Sequence, residues 1–370
     1  MTGADDAGES DARRDELFWK IALKNSLVTR EQVRECREIQ RRIEDLGVSA
    51  KPIGDIMLEK GFVDREVHDR ILAKIAALGA SHRIEGYKLQ EKLGQGSMGV
   101  VWRARQISLD RIVAVKILAP FLQKNERFVS RFLKEAKVLA RLNHPHIVQC
   151  IDVGRSHGLY YFAMEYVDGP TVGSIVKRGG RMADERATRI ILQVAMALDH
   201  AFEHSIIHRD IKPDNIMIAS GGVVKLCDLG LVKDLDTGGD TTDTGTTLGT
   251  PNYISPEQAR GDEFIDQRSD IYSLGATYYH MVTGVTPFQY ENPAATLVAH
   301  LNEVPKTPRE RVPELSAETS RIISKMLRKN PDDRYQRPSQ VVADLEKHLA
   351  RLTGEGDPLL LIRPRRRRRR

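Results

Sequence analysis

Four short motifs in a fixed order constrain this chain more than its composition does. The first is Leu93-Gly94-Gln95-Gly96-Ser97-Met98-Gly99-Val100-Val101, a glycine-rich stretch between two β-branched, strand-like runs. Three glycines at that spacing let the backbone close over phosphates where a side chain would collide. Alone, G-x-G-x-x-G is weak, since dinucleotide folds use it too. Those folds need a helix directly after the glycines and an acid about twenty residues on; here Val100-Val101-Trp102-Arg103-Ala104 continues as a strand. The second motif ends the next strand, Ile112-Val113-Ala114-Val115-Lys116, in a lysine. The third is His208-Arg209-Asp210-Ile211-Lys212-Pro213-Asp214-Asn215 and the fourth Asp228-Leu229-Gly230. They supply an acid–base carboxylate, a basic residue two places on, and two oxygen ligands able to share metal ions. Phosphoryl transfer from a magnesium nucleotide needs that set: little covalent chemistry, but charge neutralisation and alignment.

From about Tyr87 to Leu349 the chain resembles the eukaryotic-type (Hanks-type) protein kinases, in particular the bacterial serine/threonine kinases of that superfamily. Further matches carry the likeness: Glu135 in the run Phe132 to Leu139; Gly249-Thr250-Pro251-Asn252-Tyr253-Ile254-Ser255-Pro256-Glu257; Asp270-Ile271-Tyr272-Ser273-Leu274-Gly275; and Arg334, partner of Glu257. The resemblance implies an α+β, two-lobed fold with a β-rich small lobe and a helical large lobe. It also implies an ATP-dependent kinase acting on serine or threonine of protein substrates, with ATP and Mg2+ as cofactors and Mn2+ as the alternative metal.

The roles carry over residue by residue. Gly94, Gly96 and Gly99 cover the phosphates. Lys116 meets the α- and β-phosphates and is held by Glu135. Val101 and Ala114 form the roof over adenine and Met217 the floor, while the backbone of Glu165 and Val167 binds the adenine edge. Asn215 and Asp228 coordinate magnesium. Asp210 takes the substrate hydroxyl proton, and Lys212 neutralises charge on the γ-phosphate. Lys212 and Thr250 fit a serine/threonine enzyme. Leu229 replaces the commoner phenylalanine and can pack with Leu139 and His208. Residues 236–247 are threonine-, aspartate- and glycine-rich, so they stay flexible until something orders them. There Thr242 and Thr244 match an autophosphorylated pair, with Arg209 and Lys233 placed to receive the phosphates.

Upstream, residues 15–80 read as a small all-α module with an internal repeat: Ile21 to Glu31 aligns with Ile56 to Glu66. Each copy predicts a short helix, a turn at Ser26 or Gly61, and a second, capped helix. Thr29 with Gln32 makes a capping box and Asp64 an N-cap. Val33, Cys36, Ile39, Ile43 and Leu46 follow helical spacing, as do Val67, Ile71, Ile75 and Leu78. The pattern resembles the N-terminal domain of type II secretion and pilus ATPases, some of which bind cyclic di-GMP. The first copy departs from it with Phe18-Trp19 and Ser26, and Pro52 stands where nucleotide-binding versions carry arginine. A docking partner or a purely structural role is therefore expected ahead of a cyclic dinucleotide ligand, which is the alternative. Residues 1–14 are expected to be disordered, 81–86 a linker, 87–350 the kinase domain and 351–370 a disordered Arg-rich tail.

Composition bounds the rest. With 41% hydrophobic and 29% charged residues, the 370-residue chain has an ordinary globular balance. Arg363 and the run Arg365 to Arg370 outweigh the net charge of +6, so the remainder is near neutral. That tail could hold the enzyme at an anionic surface such as a membrane. No apolar run approaches the roughly 20 residues of a transmembrane segment, and the acidic start is unlike a secretory signal. Cys36, Cys150 and Cys227 show no pairing or ligand spacing, which points to a reduced, cytoplasmic setting. Cys227 is read as a packing residue. A catalytically silent scaffold is the competing class, but it would lack Lys116, Asp210 or Asp228. A nucleic-acid binder would need aromatics among its basic residues, and the tail has none.

Overall fold

The structure is a computed structural model. It describes residues 5–45, 50–80, 84–96, 98–123, 125–228 and 251–354, with side chains from residue 15 on and not for 73–80. The chain divides into two compact units, Met1–Leu89 with Ser156–Leu159, and Gln90–Arg155 with Tyr160–Arg370.

The first unit holds α1 (Asp5–Lys24), α2 (Arg30–Asp45), α3 (Ile53–Glu59) and α4 (Arg65–Ala80). Helical backbone from Asp5 differs from the disorder expected for 1–14; acidic residues in a first turn suit a helix N-terminus. The internal repeat is visible in the turns. Ser26 and Gly61 close the first helix of each copy, both with left-handed backbone, at φ 55° and 70°. In the next turn the Thr29 and Gln32 side chains exchange bonds with each other's amides, and the Val67 amide donates to Asp64 Oδ1 at 2.7 Å. Phe18, Ala22, Val33, Cys36, Ile53, Ile56, Met57 and Ile71 form a core of their own, with Ile39 and Val67 packed at its edge. Phe18 sits so close to Gly54 that a Cβ there would fall 2.7 Å from its ring. Leu46 lies outside the described residues, as do the side chains of Ile75 and Leu78.

From Tyr87 on, the chain runs through β1 (Tyr87–Gln95), β2 (Gly99–Gln106), β3 (Arg111–Leu118), α5 (Glu126–Leu139), β4 (Cys150–Ser156) and β5 (Leu159–Glu165). The five strands form one sheet in the order β1-β2-β3-β5-β4. Then follow α6 (Val172–Gly179), α7 (Asp184–Glu203), the short hairpin β6 (Ile216–Ile218) and β7 (Val224–Leu226), and α8 (Pro256–Arg260), α9 (Gln267–Thr283), α10 (Pro293–Asn302), α11 (Pro308–Arg311), α12 (Ala317–Met326) and α13 (Pro338–Thr353). Helices α7 and α9 pack together, with α13 against α7 and α12 against α9. Their apolar faces, with Phe132, Leu139 and Phe162 from the sheet side, form one continuous core. This is the β-rich and helical two-lobed arrangement expected. Among the described residues no helix is long and apolar enough to cross a membrane.

Candidate active site

The antiparallel β2–β3 pairing sets Val101 opposite Lys116, and the β3–β5 pairing sets Ala114 opposite Met164 and Lys116 opposite Phe162. Lys116 therefore projects from a central strand with its ammonium 5.5 Å from the Phe162 ring centre. Its Nζ lies 3.0 Å from both Glu135 Oε1 and Asp228 Oδ1. Burial alone would lower the Lys116 pKa, but the two carboxylates outweigh it and hold the amine above its ordinary range. Burial pushes Glu135 upward, with Lys116 opposing.

The glycine turn is held by backbone: the Gly96 amide donates to Gly99 O at 2.9 Å, and the Ala119 amide to Met98 O at 2.8 Å. A Cβ on Gly99 would fall 2.0 Å from Ile117 O, so this position admits only glycine. Nothing stands within 4 Å of a Cβ built on Gly94 or Gly96. The space at those two positions is open.

The second half of the site hangs from α9. Asp270 is buried and accepts the His208 and Arg209 amides, each at 2.7 Å. Burial pushes its pKa up to about 6, against those two bonds and the Arg209 charge. His208 is fixed in one tautomer: its Nδ1 accepts from the Asp210 amide, so Nε2 donates to Cys227 O at 3.2 Å. Arg209 and Asp228 both take left-handed backbone, at φ 65° and 54°. Such conformations cost about 1–3 kcal/mol each outside glycine and persist only where surroundings enforce them. Gln258 is part of that enforcement, donating to Arg209 O at 3.0 Å.

Asp210 Oδ2 receives Lys212 Nζ at 2.8 Å and Asn215 Nδ2 at 3.0 Å, and Asn215 Nδ2 also reaches Asp210 O. With its amide nitrogen so committed, Asn215 presents Oδ1, which accepts nothing else among the described residues. The Cys227 amide donates to Asn215 O at 2.9 Å, so the β6–β7 hairpin ties the Asn215 loop to Asp228. Asp228 keeps its second oxygen unpaired among the described residues and its side chain is 48% exposed. These two oxygens are hard donors suited to a divalent cation that also binds phosphate. No cluster of three or more His, Cys, Asp or Glu able to hold a metal occurs among the described residues. Cys227, partly covered, donates its thiol to Asn215 O, and burial pushes its pKa up, as a packing residue requires.

Glu165 and Val167 lie where β5 leads into α6. The Glu165 amide donates to Gln149 O, and its carboxylate pairs with Lys225 at 2.8 Å. That pair has no sequence signal, since Lys225 looks like any exposed strand lysine. Val167 is buried, and its amide has no acceptor among the described residues. Met217 sits on β6 opposite Lys225.

Below the catalytic loop, Glu257 and Arg334 form a buried bidentate pair at 2.7 and 2.8 Å, with Ser269 Oγ also donating to Glu257. Burial would raise the Glu257 pKa, but Arg334 wins and lowers it. Leu229, Lys233, Thr242, Thr244 and Thr250 lie outside the described residues, as does the arginine tail.

Comparison with known proteins agrees with this geometry. The family profile described as "Protein kinase domain" matches residues 87–345. The chain is 44% identical over 269 residues to serine/threonine-protein kinase PknB of Mycolicibacterium smegmatis, covering 71% of this chain and 43% of that protein. It is 40% identical over 270 residues to serine/threonine-protein kinase pkn3 of Myxococcus xanthus, covering 70% of this chain and 49% of the other. The crystal structure of the Mycobacterium tuberculosis PknI kinase domain superposes with a TM-score of 0.57 at 27% identity, covering 72% of this chain and 98% of that one. The chain spans less than half the length of the curated relatives it matches. That family uses ATP and a divalent metal, which the Asn215 and Asp228 oxygens and the space beside Gly94 and Gly96 fit. Profile, relatives and site geometry converge: the chain belongs to the protein kinase domain family.

Proposed function

We propose that the chain is a serine/threonine protein kinase that transfers the γ-phosphate of ATP to hydroxyls of protein substrates. One observation carries this: Asp210 is oriented by Lys212 and Asn215 on one loop, while Lys116 is held by Glu135 and Asp228 on the facing elements. Asp210 accepts the proton of the incoming hydroxyl and aligns its oxygen. Lys212, bonded to the same carboxylate, neutralises charge on the phosphoryl group in transit. Lys116 anchors the non-transferred phosphates, and the Val167 amide reads the adenine edge. Asn215 and Asp228 would hold Mg2+, or Mn2+ as the alternative; a bound metal screens the phosphate charges.

Regulation by autophosphorylation at Thr242 and Thr244, with Arg209 and Lys233 as receivers, is part of the proposal. So are a docking role for residues 15–80, with cyclic dinucleotide as the alternative ligand, and anionic-surface binding by the arginine tail. The matching turns and caps of the two copies support the internal repeat within residues 15–80.

The test is transfer from labelled ATP with Mg2+ to a serine/threonine peptide, comparing the chain with Asp210→Ala. Loss of the general base should lower the rate about a hundredfold or more. Equal transfer by a folded Asp210→Ala protein would overturn the assignment.

A further inference from the structure

A cleft of ≈ 740 Å3 opens in the helical module between α1 and α2. Its apolar wall is Trp19 with Leu23, and its other wall carries Arg30, Arg34, Arg37 and Arg41. The four arginines fall at i, i+4, i+7 and i+11, one stripe along α2. Like charges at that spacing destabilise a helix, and none of the four has a carboxylate within ion-pair distance among the described residues. Two of the α2 carboxylates pair outside the stripe. Glu38, which also lines the cleft, pairs with Arg42 at 3.3 Å, and Glu35 pairs with Lys60 at 2.9 Å. A merely solvated basic face needs neither a concavity nor an aromatic wall. Here the Arg37 guanidinium lies 5.9 Å from the Trp19 ring centre, within cation–π range.

We propose that this cleft docks phosphorylated peptide segments, so that residues 15–80 recognise the product of the phosphorylation reaction. Planar guanidinium groups bind phosphate by paired, charge-assisted hydrogen bonds, which is why arginine clusters read phosphorylated motifs. The stripe covers about 16 Å of helix at ~1.5 Å per residue. That is too long for a single phosphate but matches about five residues of extended chain at ~3.3 Å each. Trp19 offers the side chain beside the phosphoresidue a flat apolar face. The inference takes the source of the phosphate from the kinase reading; the binding itself does not depend on it.

The experiment is fluorescence anisotropy with the phosphatase-treated full chain, without ATP. The probe is a labelled peptide of residues 236–247 bearing phosphate on Thr242 and Thr244, compared with the unmodified peptide. The phosphopeptide should bind at least ~tenfold more tightly, and an Arg34→Gln/Arg37→Gln variant should lose that preference while keeping its helix content and its rate on a short neutral substrate. Trp19→Ala should weaken binding, and Arg37→Lys should weaken it less than Arg37→Gln. Equal affinity for both peptides, or full affinity in the double glutamine variant, overturns the proposal. Tighter binding of cyclic di-GMP than of the phosphopeptide at the same arginines also overturns it, assigning the cleft to a nucleotide. If the chain transfers no phosphate yet discriminates the peptides, the docking inference stands and the kinase reading falls.

Discussion

Asp270 anchors the backbone of the loop that carries Asp210. Its two oxygens take the amides of His208 and Arg209, and Arg209 holds a left-handed backbone between that anchor and Gln258. In Asp270→Asn one oxygen becomes an amide that faces a donor, leaving a buried N–H unsatisfied at about 1–3 kcal/mol. Steady-state kinetics should show kcat falling about tenfold to a hundredfold through misplacement of Asp210, with the KM for ATP little changed. The same residue sets a pH signature. Its folded pKa of about 6 lies above the ordinary aspartate value near ~3.9. The folded state therefore holds the proton more firmly between those values. Its stability contribution is full below pH ~4 and is lost as pH rises through about 6. Urea unfolding of wild type minus Asp270→Asn should trace that fall; a difference flat from pH 4 to 7 would refute it. The residue types that meet here are legible in the sequence because they stand in short motifs at fixed spacing. The Lys116–Asp228 contact is not, since 112 residues separate its partners and only the folded sheet and hairpin bring them together.

At the scale of elements, the chain's local chemistry is well expressed and its long-range pairing is not. The Thr29–Gln32 and Asp64 caps begin α2 and α4 where the sequence places them, because a cap needs only neighbours. A Ser255–Gln258 capping box likewise begins α8, yet its second use, Gln258 bonding to Arg209 O, depends on where α8 packs. Glu257 and Arg334 tie α8 to the turn before α13, with the Arg334 side chain fully buried. Removing one partner strands the other charge away from water. Arg334→Ala should cost about 3–5 kcal/mol in chemical denaturation. The paired change Glu257→Gln/Arg334→Met should cost clearly less, because no uncompensated charge remains. If the single variant is no worse than the pair, this contact contributes little to holding α8.

Across the whole molecule, the two cores contain different residues, and the sequence signals that much through a repeat confined to residues 15–80. It does not signal that helix begins at Asp5, because an acidic, polar stretch has no apolar period to announce it. Phe18, 1% exposed and pressed against Gly54, is the main aromatic filler of the smaller core. Phe18→Ala should remove about 3–5 kcal/mol from the helical module. Calorimetry should then lose or lower one transition while the other, and phosphate transfer to a short peptide, persist; a single transition that shifts as a whole would show one cooperative unit instead. The cysteines offer a way to watch this in the unaltered protein. Cys36 belongs to the core of the module, and Cys150 and Cys227 to the kinase domain, and burial pushes all three thiols up in pKa. Thiolates, not thiols, are alkylated, so each sulfur reacts slowly until its surroundings open. Timed alkylation followed by peptide mass mapping would thus give two built-in clocks, one for each domain, running in the same tube without a label or a mutation.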